Sequence, residues 1–590
     1  MTASQSNLSD PHLGYDIVVA TTQASINAAL KQYLAGISSP EVIVCYIYDN
    51  QNNLVPIPYS DLKDGAKGSD PFAVANGASN DSQDLKNLLD ANFAGAFKAR
   101  IGIPSTPLSN IPPVITLGNG TDAPVLFNLL CAEFQVVGFE YLPHGKSSWV
   151  NQRQTPDDPW YFTSHVRLNS DIVDHNLPVP SDVQQRISEL LHSAGDDAFS
   201  LQRLFLDLDE AILLSSPSIG GIPSGWPVWA LITAQFMPAY FRQLQKTGTP
   251  VLGYSFSMTK PDPASLQIGA LTHECSVLRD GNGGLILNPT PAQQAAATLD
   301  YLGTVSKQPP VAALFPWNWV EPDEVSQFAG VMAVRRANFT AYLARVFDTG
   351  VGNLCFVPNA YVTYDVDHNR FSARFTFKTD FKPATFSDVG NRKPDSDGYT
   401  PLLTLDYSKR SHDSAKLLFV KEVYGTYNYS LSAKVSVKDN HIRLAMHAQV
   451  YMKVDHDELG INYTDLGGAN YYDKTHVVIL QLAVEEHGRL SVSVSPKQII
   501  DASTPWRFDP DGLMGLFGDL DNIRNGITDA EQLIERAIEN AVSGYASSIV
   551  SAINGYSRWV FPGGRPFVFH DVFFSNNQDL ICRVNYADPR

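Results

Sequence analysis

Residues 527–556, ITDAEQLIERAIENAVSGYASSIVSAINGY, place apolar side chains at Ala530, Leu533, Ile534, Ala537, Ile538, Ala541, Val542, Tyr545, Ile549, Ala552 and Ile553. That three-and-four spacing gives a helix one apolar face. About 25 residues at ~1.5 Å rise predict a rod roughly 38 Å long. Thr528 and Glu531 read as a capping box at its start. Asp529, Glu531, Glu535 and Glu539 fall in the first half, where the helix dipole favours acids. The stripe fits either a helix packed wholly on a core or one of which part of the same face lines an elongated apolar groove.

The segments before it read as long strands. In HIRLAMHAQVYMKVD (441–455), Ile442, Leu444, Met446, Ala448, Val450, Met452 and Val454 alternate with mostly polar neighbours, the mark of a half-buried strand. At ~3.3 Å per residue it reaches about 46 Å, far beyond the usual strand. SLSAKVSVK (430–438) alternates likewise, with Asp439-Asn440 as the turn. A second pair runs through Val478–Val484 and Leu490–Val494 about a turn near His487-Gly488. Long antiparallel strands on a long helix make an elongated layered body, so the fold class is α+β.

With 590 residues the chain needs two or more core units. Its net charge of −18 offers no global positive field for nucleic acid. The N-terminal sequence lacks the basic start and apolar run of a signal peptide, and no stretch of about 18 apolar residues predicts a transmembrane helix. Five scattered cysteines without a CxxC pair suit reduced thiols, and with the absent signals they point to the cytoplasm.

In chain order, residues 1–13 read as a flexible polar leader. A first helix-and-antiparallel-sheet unit spans 14–258, with a helix at 22–35, a strand at 41–49, a decorated loop region over 50–112 holding a short helix at 83–98, and further helices at 182–193 and 226–245. Residues 259–322 form a Pro-rich junction with strands near 267–278 and 297–306. A second, similar unit spans 323–590, opening with a helix over 323–348 and closing with the 527–556 helix and terminal strands.

The tail WVFPGGRPFVFHDVFFSNNQDLICRVNYAD (559–588) runs from a Pro-Gly-Gly turn into an aromatic strand and a final strand. With GYDIVVATTQASINAALKQYL (14–34), it resembles the accessory protein family of clostridial neurotoxin gene clusters, within the TULIP (tubular lipid-binding) superfamily. The resemblance implies long amphipathic helices inside long, highly curved antiparallel sheets, and the order of elements along the chain suggests two similar units. The resemblance also implies a lipid or other apolar ligand between helix and sheet and a phosphoinositide headgroup as a partner. It supplies no catalytic residue.

Motifs for other chemistry fail on context. LGNGTDA (117–123) meets Pro124 and a strand instead of the helix that a dinucleotide fingerprint requires, so it reads as an Asn-Gly turn. Asp365, Asp367 and Asn369 lack the glycine and distal glutamate of a calcium loop and read as a hairpin tip; Asp455-His456-Asp457 has the same character. His273-Glu274 has no second histidine four residues on. His441 and His447 fall on a polar strand face, and His570 sits between Phe569 and Asp571. Trp226, Trp229, Phe236 and Tyr240 read as core. No catalytic residue, metal or cofactor is assigned.

The expected function is non-enzymatic binding or transfer of a lipid or other apolar small molecule. Ile534, Ile538, Ala541, Gly544, Tyr545 and Ile549 would line the groove with Met446 and Met452 opposite, the small residues leaving room for a chain. Arg392, Lys393, Lys409 and Arg410 are candidate headgroup contacts. The alternative is an interaction or assembly protein with a closed core and a protein partner. A third class, an enzyme acting on an apolar substrate in the same cavity, needs an ionisable group with a shifted pKa facing it.

Overall fold

Strand β1 (Ile17–Thr22) is buried at all six positions because both of its faces are covered. Ile17 and Val19 enter the main core. Val18 and Ala20 enter a second core with Leu8, Tyr15, Phe315, Trp317 and Trp319. A strand packed on both faces has no reason to alternate. This computed structural model describes residues 2–586 except 37–40, 108–109, 121–123, 143–145, 173–198, 214–231, 233–235, 237, 245–250, 259–265, 306–312, 369, 379–383, 391, 418–420, 459–461, 506–519, 557–559, 563–564 and 566. The helix expected at 182–193, and Trp226 and Trp229 of the one expected at 226–245, lie outside the described residues; 238–244 are helical.

β1 belongs to a six-stranded antiparallel sheet ordered β11 (Ala270–Ser276), β12 (Thr298–Thr304), β1, β13 (Gly330–Val334), β25 (Leu580–Tyr586), β24 (Phe567–Phe574). Both ends of the chain and the segment expected as a junction therefore meet in one sheet. The leader is held there rather than loose. Asp579, fully buried, accepts hydrogen bonds from the Ser6 hydroxyl at 2.8 Å, the Leu8 amide at 2.7 Å and the Arg336 amide at 2.9 Å. Leu8 is itself fully buried.

A second antiparallel sheet is ordered β23 (Val560–Pro562), β10 (Val251–Met258), β9 (Phe199–Leu213), β8 (Tyr161–Ile172), β6 (Val125–Leu142), β4 (Phe93–Ile101), β2 (Glu41–Tyr48), β3 (Leu54–Ile57). The short β5 (Ile115–Thr116) and β7 (Lys146–Arg153) also pair with β6. Helix α1 (Gln23–Gly36) follows β1, and α2 (Tyr59–Gly65) and α3 (Gln83–Asp90) decorate this region. The helix expected to reach residue 98 stops at Asp90. Asn92 takes a φ of 56°, a left-handed turn that no helix continues through, and FAGAFKARI becomes β4. The loop expected over 50–112 thus holds two strands and two helices.

The C-terminal sheet is ordered β16 (Ser387–Asp388), β17 (Thr400–Leu417), β18 (Lys421–Lys438), β19 (His441–Glu458), β20 (Asn462–Val484), β21 (Leu490–Val494), with β22 (Gln498–Asp501) pairing β20. β18 and β19 stay in register from Lys438↔His441 to Lys421↔Glu458, so the alternation in the sequence understated their length. Asp439 turns the hairpin with a φ of 52°. A separate hairpin, β14 (Val357–Asp365) with β15 (Arg370–Lys378), lies beside β17, where Ser411 and Asp413 accept from the amides of Ala360 (2.9 Å) and Val362 (2.8 Å). Asp365 and Asp367 of the expected hairpin tip lie where β14 turns into β15, and Asn369 lies outside the described residues.

The short α4 (Pro291–Ala295) precedes β12. The helix expected over 323–348 divides into β13 and α5 (Arg336–Val351): Gly330–Val334, buried at all five positions, pairs between β1 and β25, and the helix forms after it. α6 spans Leu520–Tyr556. It begins a full turn and more before Thr528, whose hydroxyl donates to the Arg524 carbonyl at 3.1 Å. Thr528 is therefore an interior residue and not a cap.

Candidate functional site: a cleft between two helices

α6 buries most of the apolar stripe that its sequence places on one face. Ile523, Ala530, Ile534, Ile538, Ile549 and Ile553 are all 1% exposed or less, each such isoleucine contributing ~1.5–3 kcal/mol over an exposed one. Its polar flank is fixed to β20. Lys474 pairs with Glu531, with Glu535 at 3.2 Å and with Asp501 at 3.8 Å, while its ammonium lies 5.0 Å from the Tyr472 ring centroid. Next to it, fully buried His476 meets the Tyr472 hydroxyl at 2.8 Å. At the far end the Asn554 side-chain oxygen accepts from the Leu490 amide at 3.2 Å.

α5 lies across α6 in the opposite direction. The Tyr342 hydroxyl donates to the Ser548 carbonyl at 2.6 Å, and one helix stretch further along, Gly350 meets Tyr545 and Ala541. A Cβ at Gly350 would collide with the Tyr545 hydroxyl and stand 2.9 Å from the Ala541 Cβ. Tyr545 is 3% exposed and packs edge-on against Phe347 at 4.6 Å. Burial pushes its phenol up from the ordinary tyrosine value.

Beside this contact the helices leave a cleft of about 390 Å³, within the range of small-molecule sites. Val346, Thr349 and Asn353 line one wall and Ala537, Asn540, Ala541, Gly544 and Ser548 the other, with Gly350 and Tyr545 between them. None of these ten residues is Asp, Glu, Lys, Arg or His. A Cβ at Gly544 would meet nothing within 4 Å: that position opens onto free space.

Of the residues singled out in the sequence, Ala541, Gly544 and Tyr545 come together at this cleft. Ile534, Ile538, Ile549, Met446 and Met452 are fully buried in the main core and are not among the cleft's walls. The α5 wall was not foreseen, because its small and polar residues carry no periodic apolar signal. The basic candidates are dispersed. Arg392 pairs with Asp388, Lys393 is exposed, and Lys409 and Arg410 lie exposed on β17, Lys409 being 5.9 Å from the Tyr407 centroid. Among the described residues no hydrogen bond or ion pair joins the two groups. His447 is held by Asp473 at 2.7 Å on the polar strand face, and His570 is exposed near Phe328.

No family model matches the chain, and no curated protein does. Among solved structures, that of P47 from Clostridium botulinum A2 aligns over 97% of this chain and 97% of its own, at 11% identity and a TM-score of 0.38. A lipopolysaccharide binding protein aligns over 98% and 100%, at 10% identity and a TM-score of 0.27. At such scores neither likeness carries an argument about function. Among the described residues no helix is long and apolar enough to cross a membrane.

Proposed function

We propose that the protein binds a lipid or comparable apolar small molecule without chemical conversion, and that the ligand enters between α5 and α6. The carrying observation is the uncharged cleft of about 390 Å³ with Gly544 open to empty space. Glycine in a helix interior is unfavourable by about 0.5–1 kcal/mol relative to alanine, and vacant volume beside it gives that choice a use. Ala537, Ala541 and Val346 would take the apolar body, worth ~25 cal/mol per Å² buried. The Asn353 and Asn540 amides would face a polar head. In the same proposal the long sheets and helices form the tubular architecture that the resemblance implies, in the two units that the element order suggests.

The test is titration with a fluorescent acyl reporter. Saturable uptake by the natural protein that is lost in Gly544→Leu supports the reading; equal uptake by both overturns it. A second reading, an interaction protein with a closed core, is favoured by the complete burial of Met446, Met452, Ile534, Ile538 and Ile549. It expects no uptake and a copurifying protein partner.

A further inference from the structure

The central sheet carries a feature unrelated to the cleft. Glu274 on β11 stands directly opposite Asp300 on β12 in register, on the face that packs against the second core. Paired residues on neighbouring antiparallel strands have Cβ atoms about 4.5–5.5 Å apart. Glu274 is 1% exposed and Asp300 fully buried. Asp300 accepts from the Ser276 hydroxyl at 2.6 Å, yet its other oxygen and one oxygen of Glu274 have no hydrogen-bond partner among the described residues.

Above them lies a strap formed by 313–320. Phe315, Trp317 and Trp319 pack against one another in tilted and edge-on contacts at 4.8–5.5 Å, and Phe315 meets Tyr15 at 5.4 Å. All are 5% exposed or less. The groups facing the two carboxyls are Ser276 from β11, Thr298 from β12, Tyr15 ahead of β1, and Trp319 from the strap. Ala20 of β1, opposite Asp300, adds no charge. Arg279, beyond the end of β11, directs its guanidinium to the carbonyls of Phe315 (2.6 Å) and Gly283 (2.8 Å).

Two adjacent carboxylates sealed from water cannot both be ionised cheaply. Desolvation and mutual repulsion each favour the protonated form. We propose that Glu274 and Asp300 share one proton and act as a pH-responsive catch beneath the aromatic strap. With the proton present, the acid of one residue donates to the carboxylate of the other, and the strap stays shut. When alkali removes the proton to solvent, two like charges face each other under Trp319, and the strap lifts from the sheet. Burial raises both groups, and the charge of Asp300 adds to the rise at Glu274, so the pair gives up its proton well above the ordinary carboxyl range.

The sign follows from proton counts. Between the ordinary carboxyl pKa and the raised one, the folded state binds more protons than the unfolded state, so stability falls as pH rises through that window. The test is hydrogen exchange of 313–320 in the full chain from pH 5.5 to 9, corrected for intrinsic rates, alongside thermal unfolding. Protection of the strap should fall at least tenfold as pH rises, and the Glu274→Gln/Asp300→Asn double variant should hold it flat. If the double variant fails to fold, the natural protein alone decides: unchanged protection and Tm between pH 6 and 9 overturn the proposal. Release of the strap by a chelator at constant pH would also overturn it, since a bound cation would then hold the pair together.

Discussion

Gly350 and Tyr545 touch so closely that no larger residue fits at 350: a Cβ there would run into the Tyr545 hydroxyl and come within 2.6 Å of its Cζ. This contact sets how near α5 and α6 approach, and so the width of the cleft beside it. Gly350→Ala should destabilise the protein by about 1–3 kcal/mol through overpacking, despite alanine's better helix propensity. Denaturant unfolding checks it. An unchanged or raised midpoint would mean the helices are free to separate.

Gly544 makes the opposite prediction. Its Cβ direction is empty, so Gly544→Ala should stabilise α6 by about 0.5–1 kcal/mol. Gly544→Leu should fill the cleft without disturbing the core, separating loss of ligand uptake from loss of fold. Thermal unfolding of both variants beside the reporter titration makes the distinction.

Lys474 joins β20 to α6 through Glu531 and Glu535 and is largely buried, with 12% of its side chain exposed. Lys474→Met keeps the stem and removes the charge, leaving two carboxylates facing each other. We expect a loss of about 1–3 kcal/mol, shrinking at high salt. A double-mutant cycle with Glu531→Gln should show coupling between the two sites; additivity would show that the pair contributes nothing.

His476 should make the protein acid-sensitive. Burial, and then Lys497, holds its pKa down at about 4, so below the ordinary histidine value the unfolded state binds the extra proton. Its contribution is fully present above about pH 6.5 and is lost as pH falls through 4. His476→Gln should flatten the dependence of Tm on pH between 4 and 6.5. A slope equal to that of the natural protein would place the acid sensitivity elsewhere.

Asp579 gathers the N-terminal leader and the start of α5. Asp579→Ala leaves three donors without their acceptor, and hydrogen exchange over residues 2–13 should rise well before global unfolding. Exchange of the leader no faster than in the natural protein would show that apolar packing of Leu8 suffices.

Where period and burial coincide, the sequence is readable. The alternation through Ile442–Val454 and the stripe through Ile534–Ile553 locate β19 and α6, because each element has one buried face. Reading failed where that link breaks. β13 is buried on both faces and looks like part of a helix. In Phe93–Ile101 the run Ala94-Gly95-Ala96 carries no clear period, and the leader is held by Asp579, hundreds of residues away. At the cleft, Ala541, Gly544 and Tyr545 were legible as small or aromatic positions on α6. Which of the stripe's residues face inward could not be separated from those beside α5, since the crossing of two helices is a tertiary fact. Glu274 and Asp300 carried no signal, because opposition across strands is invisible to spacing.

The most direct test of lipid binding is native mass spectrometry of gently purified protein, with organic extraction and identification of whatever is bound. Lipid binding in the cleft predicts a stoichiometric apolar adduct on the natural chain that is missing from Gly544→Leu of equal stability. A bare mass from several expression hosts, unchanged after lipids are offered, would contradict it and leave the closed-core interaction protein as the better description.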